Sequence, residues 1–233
     1  MAIPVPGTTP RQILITGTGT GVGKTVLTAL LARRAVEQGL RVAAFKPLAS
    51  GSRADARLLR RASDTKLPLE ILNPWSFRRP LAPLLAARAE GRTVRRADLL
   101  RHLEIHGAGH DCILMEGAGG LRTPLGEDFD ALDLLGAWRA QPVLVAVNRL
   151  GVLHEVLLAW DALPAGARRL GRVVLMAPSR RDPSCRTNPL YLRERLGVDR
   201  IVEVPRLPQW PGLLRRPLTP GLRRTLDFLL AGR

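Results

Sequence analysis

The stretch Ile13-Leu-Ile-Thr-Gly-Thr-Gly-Thr-Gly-Val-Gly-Lys-Thr25 decides the fold of this chain. A short apolar run opens it, a glycine-rich turn ends in Lys24-Thr25, and apolar residues then recur at helical spacing. Strand, glycine loop and helix in this order are typical of a phosphate-binding loop, where glycines let backbone N–H groups close around phosphate oxygens. Lys24 can reach the outer phosphates, and the Thr25 hydroxyl can ligate Mg²⁺. The stretch therefore predicts a nucleotide phosphate site.

The glycines depart from the strict phosphate-loop pattern. That pattern requires a glycine five residues before Gly23, where Thr18 stands, and Gly17 lies one residue too early. A dinucleotide-binding GxGxxG turn fits less well, because Gly17, Gly19, Gly21 and Gly23 alternate evenly. A flexible Gly/Thr turn without a ligand is the remaining alternative, and the strand before it and the helix after it argue against that.

The formal net charge of +16 over 233 residues would suit a nucleic-acid-binding protein. The arginines, however, are scattered as pairs along amphipathic segments, and aromatic residues that could stack on bases make up only 4% of the chain. We therefore predict solvated arginine-rich faces and no nucleic-acid partner. Lysine is rare, and Lys24 and Lys46 both lie in glycine-flanked loops, where a compact ammonium group is favoured.

Cysteine usage and the apolar runs bear on the compartment. Cys112 and Cys185 are the two cysteines of the chain, which gives no disulfide framework. The first ten residues lack the basic and apolar regions of a signal peptide. No apolar run approaches the ~20 residues that span a bilayer. We expect a cytoplasmic protein that does not bind membranes.

Apolar runs alternate with helical patterns along the chain. After residues 13–15, strands are predicted at 41–45, 112–116, 142–147, 172–176 and 200–204. Helices are predicted at 26–36, 53–62, 82–89, 98–106, 129–138, 153–163 and 221–230, and the proline-rich residues 67–83 predict an irregular connection. We predict an α/β fold in one domain spanning residues 1–233, with 1–10 flexible. It consists of a parallel sheet with helices on both faces, like that of P-loop NTPases.

A second candidate loop follows the strand at 41–45. Pro47 and Gly51 end that strand, and the carboxyl edge of an open parallel sheet is where ligands bind. Lys46 and Ser50 would then face the same crevice as the phosphate loop, although an ordinary polar turn is the alternative. Asp55 lies in the first turn of the next helix, where it is either a helix cap or a metal or nucleotide contact.

Glu116 ends a third apolar run and begins the turn Glu116-Gly-Ala-Gly-Gly120. An acidic residue at the carboxyl tip of a strand, in a protein with a phosphate loop, is placed to hold Mg²⁺ directly or through water. The glycines keep side chains away from the substrate. A simple glycine turn is the alternative.

The histidines at 102, 106 and 110 are spaced by four residues, which is compatible with metal ligation from one helix face. Without a cysteine or acidic partner, we expect solvent-exposed or capping histidines instead.

Together, Gly17-Thr-Gly-Thr-Gly-Val-Gly-Lys-Thr25, Lys46-Pro-Leu-Ala-Ser-Gly51 and Glu116-Gly-Ala-Gly-Gly120 resemble the loops of the dethiobiotin synthetase family. That family has a Gly-Thr-x-Thr-x-Val-Gly-Lys-Thr phosphate loop, which accounts for the displaced glycine. The likeness covers nearly the whole chain and extends to Asn73-Pro-Trp-Ser-Phe77, Ala89-Glu-Gly-Arg92, Thr123-Pro-Leu125, Leu150-Gly151 and Pro205-Arg-Leu207.

The resemblance implies an ATP-dependent ligase of biotin biosynthesis. It would form the ureido ring of dethiobiotin from 7,8-diaminononanoate and CO₂ through a phosphorylated carbamate, with ATP as co-substrate and Mg²⁺ as cofactor. By the same resemblance, Lys24 and Lys46 are catalytic, and Ser50 contacts the substrate. Members are homodimers with the substrate site near the interface.

The resemblance also implies a metal set and a nucleotide set. The metal ligands are Thr25, Asp55 and Glu116. The nucleotide contacts are Gly21, Val22, Gly23, Lys24, Thr25, Val26, Asp55, Glu116, Gly117, Ala118, Gly119, Pro205, Arg206 and Leu207, the last three beside the adenine.

The chain departs from the family pattern at several positions. Gly19 and Gly21 stand where the family usually has Asp and Glu, and Ala177-Pro178 replaces the Asn that recognises adenine. His154-Glu155 replaces an Asn-His pair. The first two departures concern nucleotide geometry and base selectivity, and the third concerns the substrate side.

A ParA/MinD-type ATPase, a nucleotide-switched dimer that binds DNA, a membrane or a protein, is the alternative from another class. It would share the fold, and the net charge of +16 would suit it. Such proteins carry a lysine early in the loop, where this chain has Gly19, and the glycines after Glu116 have no evident use in a switch.

Overall fold

The computed structural model describes residues 10–207, 212–214 and 216–232. Its strands are β1 (Arg11–Gly17), β2 (Val42–Phe45), β3 (Leu48–Ser50), β4 (Trp75–Phe77), β5 (Cys112–Glu116), β6 (Gln141–Val147), β7 (Arg172–Met176) and β8 (Ile201–Val204). Its α-helices are α1 (Lys24–Glu37), α2 (Ala54–Ala62), α3 (Leu69–Leu72), α4 (Pro83–Ala89), α5 (Arg96–Gly107), α6 (Ala131–Trp138), α7 (Val152–Ala162), α8 (Ala165–Leu170), α9 (Ser184–Leu196) and α10 (Pro220–Ala231). The segment predicted to be flexible, residues 1–10, lies outside the described residues except for Pro10.

Six strands form one parallel sheet in the order β2-β5-β1-β6-β7-β8. Each of the six predicted strands is present, and helices cover both faces. The predicted α/β fold is therefore confirmed. In this order β1 lies between β5 and β6. The loop after β1 therefore opens at the switch point of the sheet, where such folds bind ligands.

Alternate residues of the strands supply two separate cores. Leu14 of β1 belongs to one cluster with Phe45, whereas Ile13 and Ile15 belong to the other, which includes Leu30 of α1. This alternation follows from the two-residue period of a strand. Burial on both faces explains why the strands are nearly continuous apolar runs.

Four parts of the fold differ from the sequence-based prediction. The loop predicted from Pro47 to Gly51 contains the strand β3. Residues 67–83 are not wholly irregular, because they contain α3 and β4, and β4 pairs in parallel with β3 as a separate two-stranded sheet. Both strands are too short to show a period. Helices α8 and α9 were not predicted, since α8 buries no residue and α9 has a proline at position 189 in its interior.

The expectation for the histidines is wrong for His102. Its ring is half-buried, its Nε2 donates to the Ile71 carbonyl at 2.7 Å, and it contacts Trp75 at 5.6 Å between ring centroids. Burial is the main cause that lowers its pKa. A tertiary contact with α3 and β4 therefore determines the environment of this side chain.

None of the helices in the described part of the chain is both long and apolar enough to cross a membrane.

Asp111 directly precedes β5 and accepts hydrogen bonds from residues at the starts of β2 and β1. Its carboxylate accepts hydrogen bonds from the Arg41 backbone N–H at 2.9 Å and from Arg41 Nε and Nη2 at 3.1 and 2.9 Å. Its own backbone carbonyl accepts from Arg11 N–H at 3.0 Å. The bonds from Arg41 lower the pKa of Asp111 from 3.8 to about 2. The ionised carboxylate is thus favoured by folding.

We predict that Asp111→Asn lowers the free energy of unfolding at neutral pH. A carboxyl group whose pKa is lowered by folding contributes stability above its unfolded pKa, and the contribution is lost as the pH falls through the folded value. The gap between wild type and variant should therefore close between pH 3.8 and about 2. Urea unfolding at several pH values measures it.

The exposed Asp161 serves as the matched control, and Asp161→Asn should leave the free energy of unfolding at neutral pH close to that of the wild type. A gap for Asp111→Asn that is the same at pH 7 and pH 3 would contradict the assigned role.

Candidate active site

The loop between β1 and α1 has the backbone conformation that its glycines permit. Gly21 and Gly23 have φ angles of 75° and 100°, in the left-handed region that favours glycine. A Cβ on Gly23 would also approach the Met176 side chain to 3.1 Å. The Thr18 N–H donates to the Val145 carbonyl at 3.0 Å, which fixes the start of the loop to β6. The loop is therefore held by the sheet and requires glycine at its end.

Lys24, the first residue of α1, bridges two loops. Its Nζ donates to the carbonyls of Gly19 at 2.6 Å and Gly119 at 2.7 Å, and the residue is buried. Burial, followed by the positive charge of Lys46, lowers the pKa of Lys24 to about 8, while Glu116 and Asp55 oppose this shift. The ammonium group thus lies between the two glycine loops.

Glu116 connects the three predicted loops. The parallel register pairs Phe45 with Met115, so the next residues, Lys46 and Glu116, emerge side by side at the carboxyl edge. Glu116 Oε1 accepts hydrogen bonds from Lys46 Nζ and from Thr25 Oγ1, both at 2.7 Å. Glu116 is 1% exposed and Lys46 is 6% exposed. Lys46 and Glu116 therefore form a buried ion pair, and the Thr25 hydroxyl adds a hydrogen bond from a third segment.

Asp55, in the first turn of α2, faces the same group from the solvent side. Its Oδ2 lies 3.7 Å from Lys46 Nζ, and its side chain is 48% exposed. Lys46 Nζ also donates to the Gly117 carbonyl at 2.9 Å. The Lys46 ammonium thus has a buried carboxylate on one side and a half-exposed one on the other.

Two buried oxygen atoms beside this cluster have no hydrogen-bond partner among the described residues, Glu116 Oε2 and Ser50 Oγ. Both residues line a cleft of about 750 Å³. Buried polar atoms are normally paired, so each of these atoms is available to a ligand.

The cluster fits a magnesium ion. Among the described residues, no group of three or more His, Cys, Asp and Glu side chains could hold a metal ion by itself. Mg²⁺, however, is usually bound through one or two carboxylates together with substrate phosphates and water. The free Glu116 Oε2 next to Thr25 supplies that kind of donor set. The group suits a cation that arrives with a nucleotide.

The cleft brings most of the predicted site residues together. Those that line it are Gly21, Gly23, Lys24, Thr25, Val26, Lys46, Ser50, Asp55, Glu116, Ala118 and Gly119. Val22 is buried, and Gly117 takes part through its carbonyl oxygen.

Residues 205–207, predicted to lie beside the adenine, do not line this cleft. Pro205 lines a second cavity of about 370 Å³, together with Asn148, Ala177 and Pro178. Arg206 Nη1 donates to the Ser179 carbonyl at 2.6 Å, and Leu207 packs against the apolar cluster that contains α1. This strip is therefore separate from the phosphate-loop cleft.

Sequence reasoning missed the outer wall of the cleft. Residues 80–83, the last of which begins α4, line it, as does Thr123, whose Oγ1 accepts from the Gly120 N–H at 2.8 Å. The proline-rich segment was predicted to be a connection, and no charged or nucleophilic group in residues 80–83 marks it as part of a site.

Comparison with solved structures bears on the fold. A plasmid partition protein from Borrelia burgdorferi bound to AMPPNP superimposes with a TM-score of 0.57 and 11% identity, over 97% of this chain and 98% of that one. The pNOB8 ParA bound to nonspecific DNA gives a TM-score of 0.54 and 14% identity, over 96% and 98% of the two chains. At these identities the likeness shows the shared α/β fold alone.

Comparison of sequences gives the family. Residues 11–211 match a family described as an AAA domain. A protein of Bacillus licheniformis is 40% identical over 84% of this chain and 86% of its own length. One of Anaeromyxobacter sp. strain Fw109-5 is 41% identical over 83% and 89%. Both are named ATP-dependent dethiobiotin synthetase BioD. The chain belongs to the dethiobiotin synthetase family.

Proposed function

We propose that the protein is an ATP-dependent dethiobiotin synthetase that acts in biotin biosynthesis. It would close the ureido ring of dethiobiotin from 7,8-diaminononanoate and CO₂. The observation that carries the proposal is the buried contact of Glu116 with Lys46 and Thr25 beside the phosphate loop. The contact lies in a cleft that Lys24 also lines, in a chain whose relatives carry that name.

The proposed reaction proceeds in three steps. One amine of the substrate attacks CO₂ and loses a proton to form a carbamate. A carbamate oxygen attacks the γ-phosphorus of ATP, and ADP leaves. The second amine then attacks the carbamate carbon and loses its proton, and phosphate departs with the transferred oxygen as the ring closes.

Positioning and charge neutralisation account for most of the catalysis of a phosphoryl transfer. Lys46 faces the cleft beside Ser50 and is the cation available to the carbamate. Lys24, whose Nζ bonds to the carbonyls of Gly19 and Gly119, is the cation available to the transferring phosphoryl group. We assign Lys46 to the carbamate, Lys24 to the phosphates and Ser50 to the substrate.

Mg²⁺ is the proposed cofactor. Thr25, Glu116 and the half-exposed Asp55 would hold it, directly or through water. When bound, it would neutralise the negative charge of the β- and γ-phosphates. The free Glu116 Oε2 supports this assignment.

The base would occupy the cavity beside Pro205. Ala177 and Pro178, which replace the family's adenine-reading Asn, have no side-chain hydrogen-bonding group, whereas Asn148, Arg181 and Glu203 of the same cavity do. ATP is the expected nucleotide, and CTP is included in the test because the adenine-reading Asn is replaced.

Three further parts of the proposal rest on the sequence and the family. These are a homodimer with the substrate site near the interface, one domain over residues 1–233, and a cytoplasmic location. The two free cysteines are compatible with a reducing compartment.

The ParA/MinD-type switch remains the competing hypothesis for the test. Its fold is shared by this chain, and fold alone does not determine function. The curated relatives named as synthetases favour the ligase.

An end-point assay tests the proposal. Purified protein is incubated with diaminononanoate, bicarbonate, Mg²⁺ and either ATP or CTP, and dethiobiotin is detected by its mass. We expect dethiobiotin to form. The nucleotide that gives more product shows which base the cavity beside Pro205 prefers. Absence of product with either nucleotide, together with ATP hydrolysis stimulated by DNA, would overturn the proposal in favour of the switch ATPase.

We predict that Lys46→Ala abolishes product formation and leaves ATP binding largely intact, because the phosphate loop itself is unchanged. Lys66→Ala is the matched control, since Lys66 is an exposed lysine away from the cleft, and it should keep the wild-type rate. Product formation by Lys46→Ala at the wild-type rate would show that the catalytic assignment is wrong.

We predict that Glu116→Gln raises the Mg²⁺ concentration needed for half the maximal rate by at least about tenfold, since a neutral amide is a poorer ligand for this hard cation. The exposed Glu104 on α5 provides the control Glu104→Gln, which should behave as wild type. Magnesium titration of the initial rate gives the result. An unchanged magnesium requirement would remove Glu116 from the metal set.

A further inference from the structure

Asn73 contacts the main chain on which Lys46 is carried. It is 1% exposed, and its Nδ2 donates to the carbonyls of Lys46 at 2.7 Å and Pro47 at 3.3 Å. The Lys46 N–H donates to the Leu72 carbonyl at 2.9 Å, and the Trp75 N–H donates to the Pro47 carbonyl at 3.0 Å. Both backbone polar groups of Lys46 are thus held by the segment around Asn73.

The other end of the Asn73 side chain contacts α2. Asn73 Oδ1 accepts from Arg53 Nε at 2.9 Å, and the Asn73 carbonyl accepts from Arg53 Nη2 at 3.2 Å. Arg53 is the N-cap residue of α2 and stands two residues before Asp55. One side chain therefore joins the loop of Lys46 to the helix start that carries Asp55.

The position of Asn73 is itself fixed. Its backbone N–H donates to the Leu69 carbonyl at 2.9 Å, where it ends α3. Glu70 of the same helix accepts from Arg53 Nη1 at 3.2 Å. Asn73 does not line the cleft, so any effect on the chemistry is exerted through the residues it holds.

We propose that Asn73 and Arg53 are positioning residues that hold the Lys46 ammonium beside Asp55, whose Oδ2 lies 3.7 Å from Nζ. The inference rests on the proposed function, because it assigns Lys46 to the carbamate. Asparagine meets the requirement because its amide donates to the two carbonyls while its oxygen accepts from the guanidinium group. Neither leucine nor aspartate of the same size can do both.

The test compares Asn73→Leu, Arg53→Ala and the double variant in the dethiobiotin assay. Each single variant should lower kcat at least about tenfold, since small misplacements of reacting groups are costly. The KM for ATP should change by a smaller factor than kcat, because neither residue touches the phosphate loop or Lys24, which supply the other contacts to the phosphates. The double variant should be no slower than the slower single variant, as expected for residues that act as one unit.

Arg200→Lys is the matched control. Arg200 Nη1 also donates to a main-chain carbonyl, that of Arg168, and its guanidinium lies over the Trp160 ring at 5.5 Å from the centroid, away from the cleft. This variant should lower the thermal midpoint and leave kcat unchanged. If Asn73→Leu does not fold, Arg53→Ala carries the test, because Arg53 is partly exposed.

Unchanged kcat in Arg53→Ala and Asn73→Leu, with only a lower thermal midpoint, would overturn the inference. So would effects of the two substitutions that multiply. Both of these results require an active wild-type enzyme, whereas a wild type that forms no product would overturn the proposed function and this inference with it.

Discussion

The site depends on a carboxylate buried at the end of β5, an interior strand of the sheet. Glu116 is 1% exposed, and its Oε1 accepts from both Lys46 and Thr25. A buried carboxylate lowers the stability of the fold unless it is paired and hydrogen-bonded. The segments that carry Lys46 and Thr25 must therefore keep their positions beside Glu116. The parallel register of β1, β2 and β5 brings those segments together, and the core on either face of the sheet maintains the register.

Two sets of hydrogen bonds hold the loops on either side of the Glu116–Lys46 contact. On the phosphate side, Lys24 bridges the loops that contain Gly19 and Gly119, so the two glycine turns are linked through one ammonium group. On the substrate side, the loop after β2 is secured from outside the cleft by the segment between α3 and β4. The lysine that we assign to the carbamate is thus held by main-chain contacts as well as by its charge, as a preorganised electrostatic site requires.

The sequence predicted the sheet and the residues around Glu116 well, because both depend on local patterns. Apolar runs identified the six strands, and polar residues directly after them had to meet at one edge. The link from Asn73 to Lys46 could not be predicted, since it joins residues 27 positions apart within a segment that lacks any period. His102 was misjudged for the same reason, because its packing against Trp75 arises only in the folded chain. Helix α9 was missed because Pro189 interrupts its pattern.

In the proposed reaction a carbamate oxygen becomes phosphorylated in this cleft, and the transfer of that oxygen to the released phosphate can be measured. The enzyme is supplied with diaminononanoate, ATP, Mg²⁺ and freshly prepared ¹⁸O-labelled bicarbonate, and the released phosphate is analysed by mass. Attack of the carbamate on ATP predicts one ¹⁸O atom in the phosphate formed with each dethiobiotin. Dethiobiotin formation accompanied by unlabelled phosphate would contradict phosphorylation of the carbamate, because the oxygen would then have come from water.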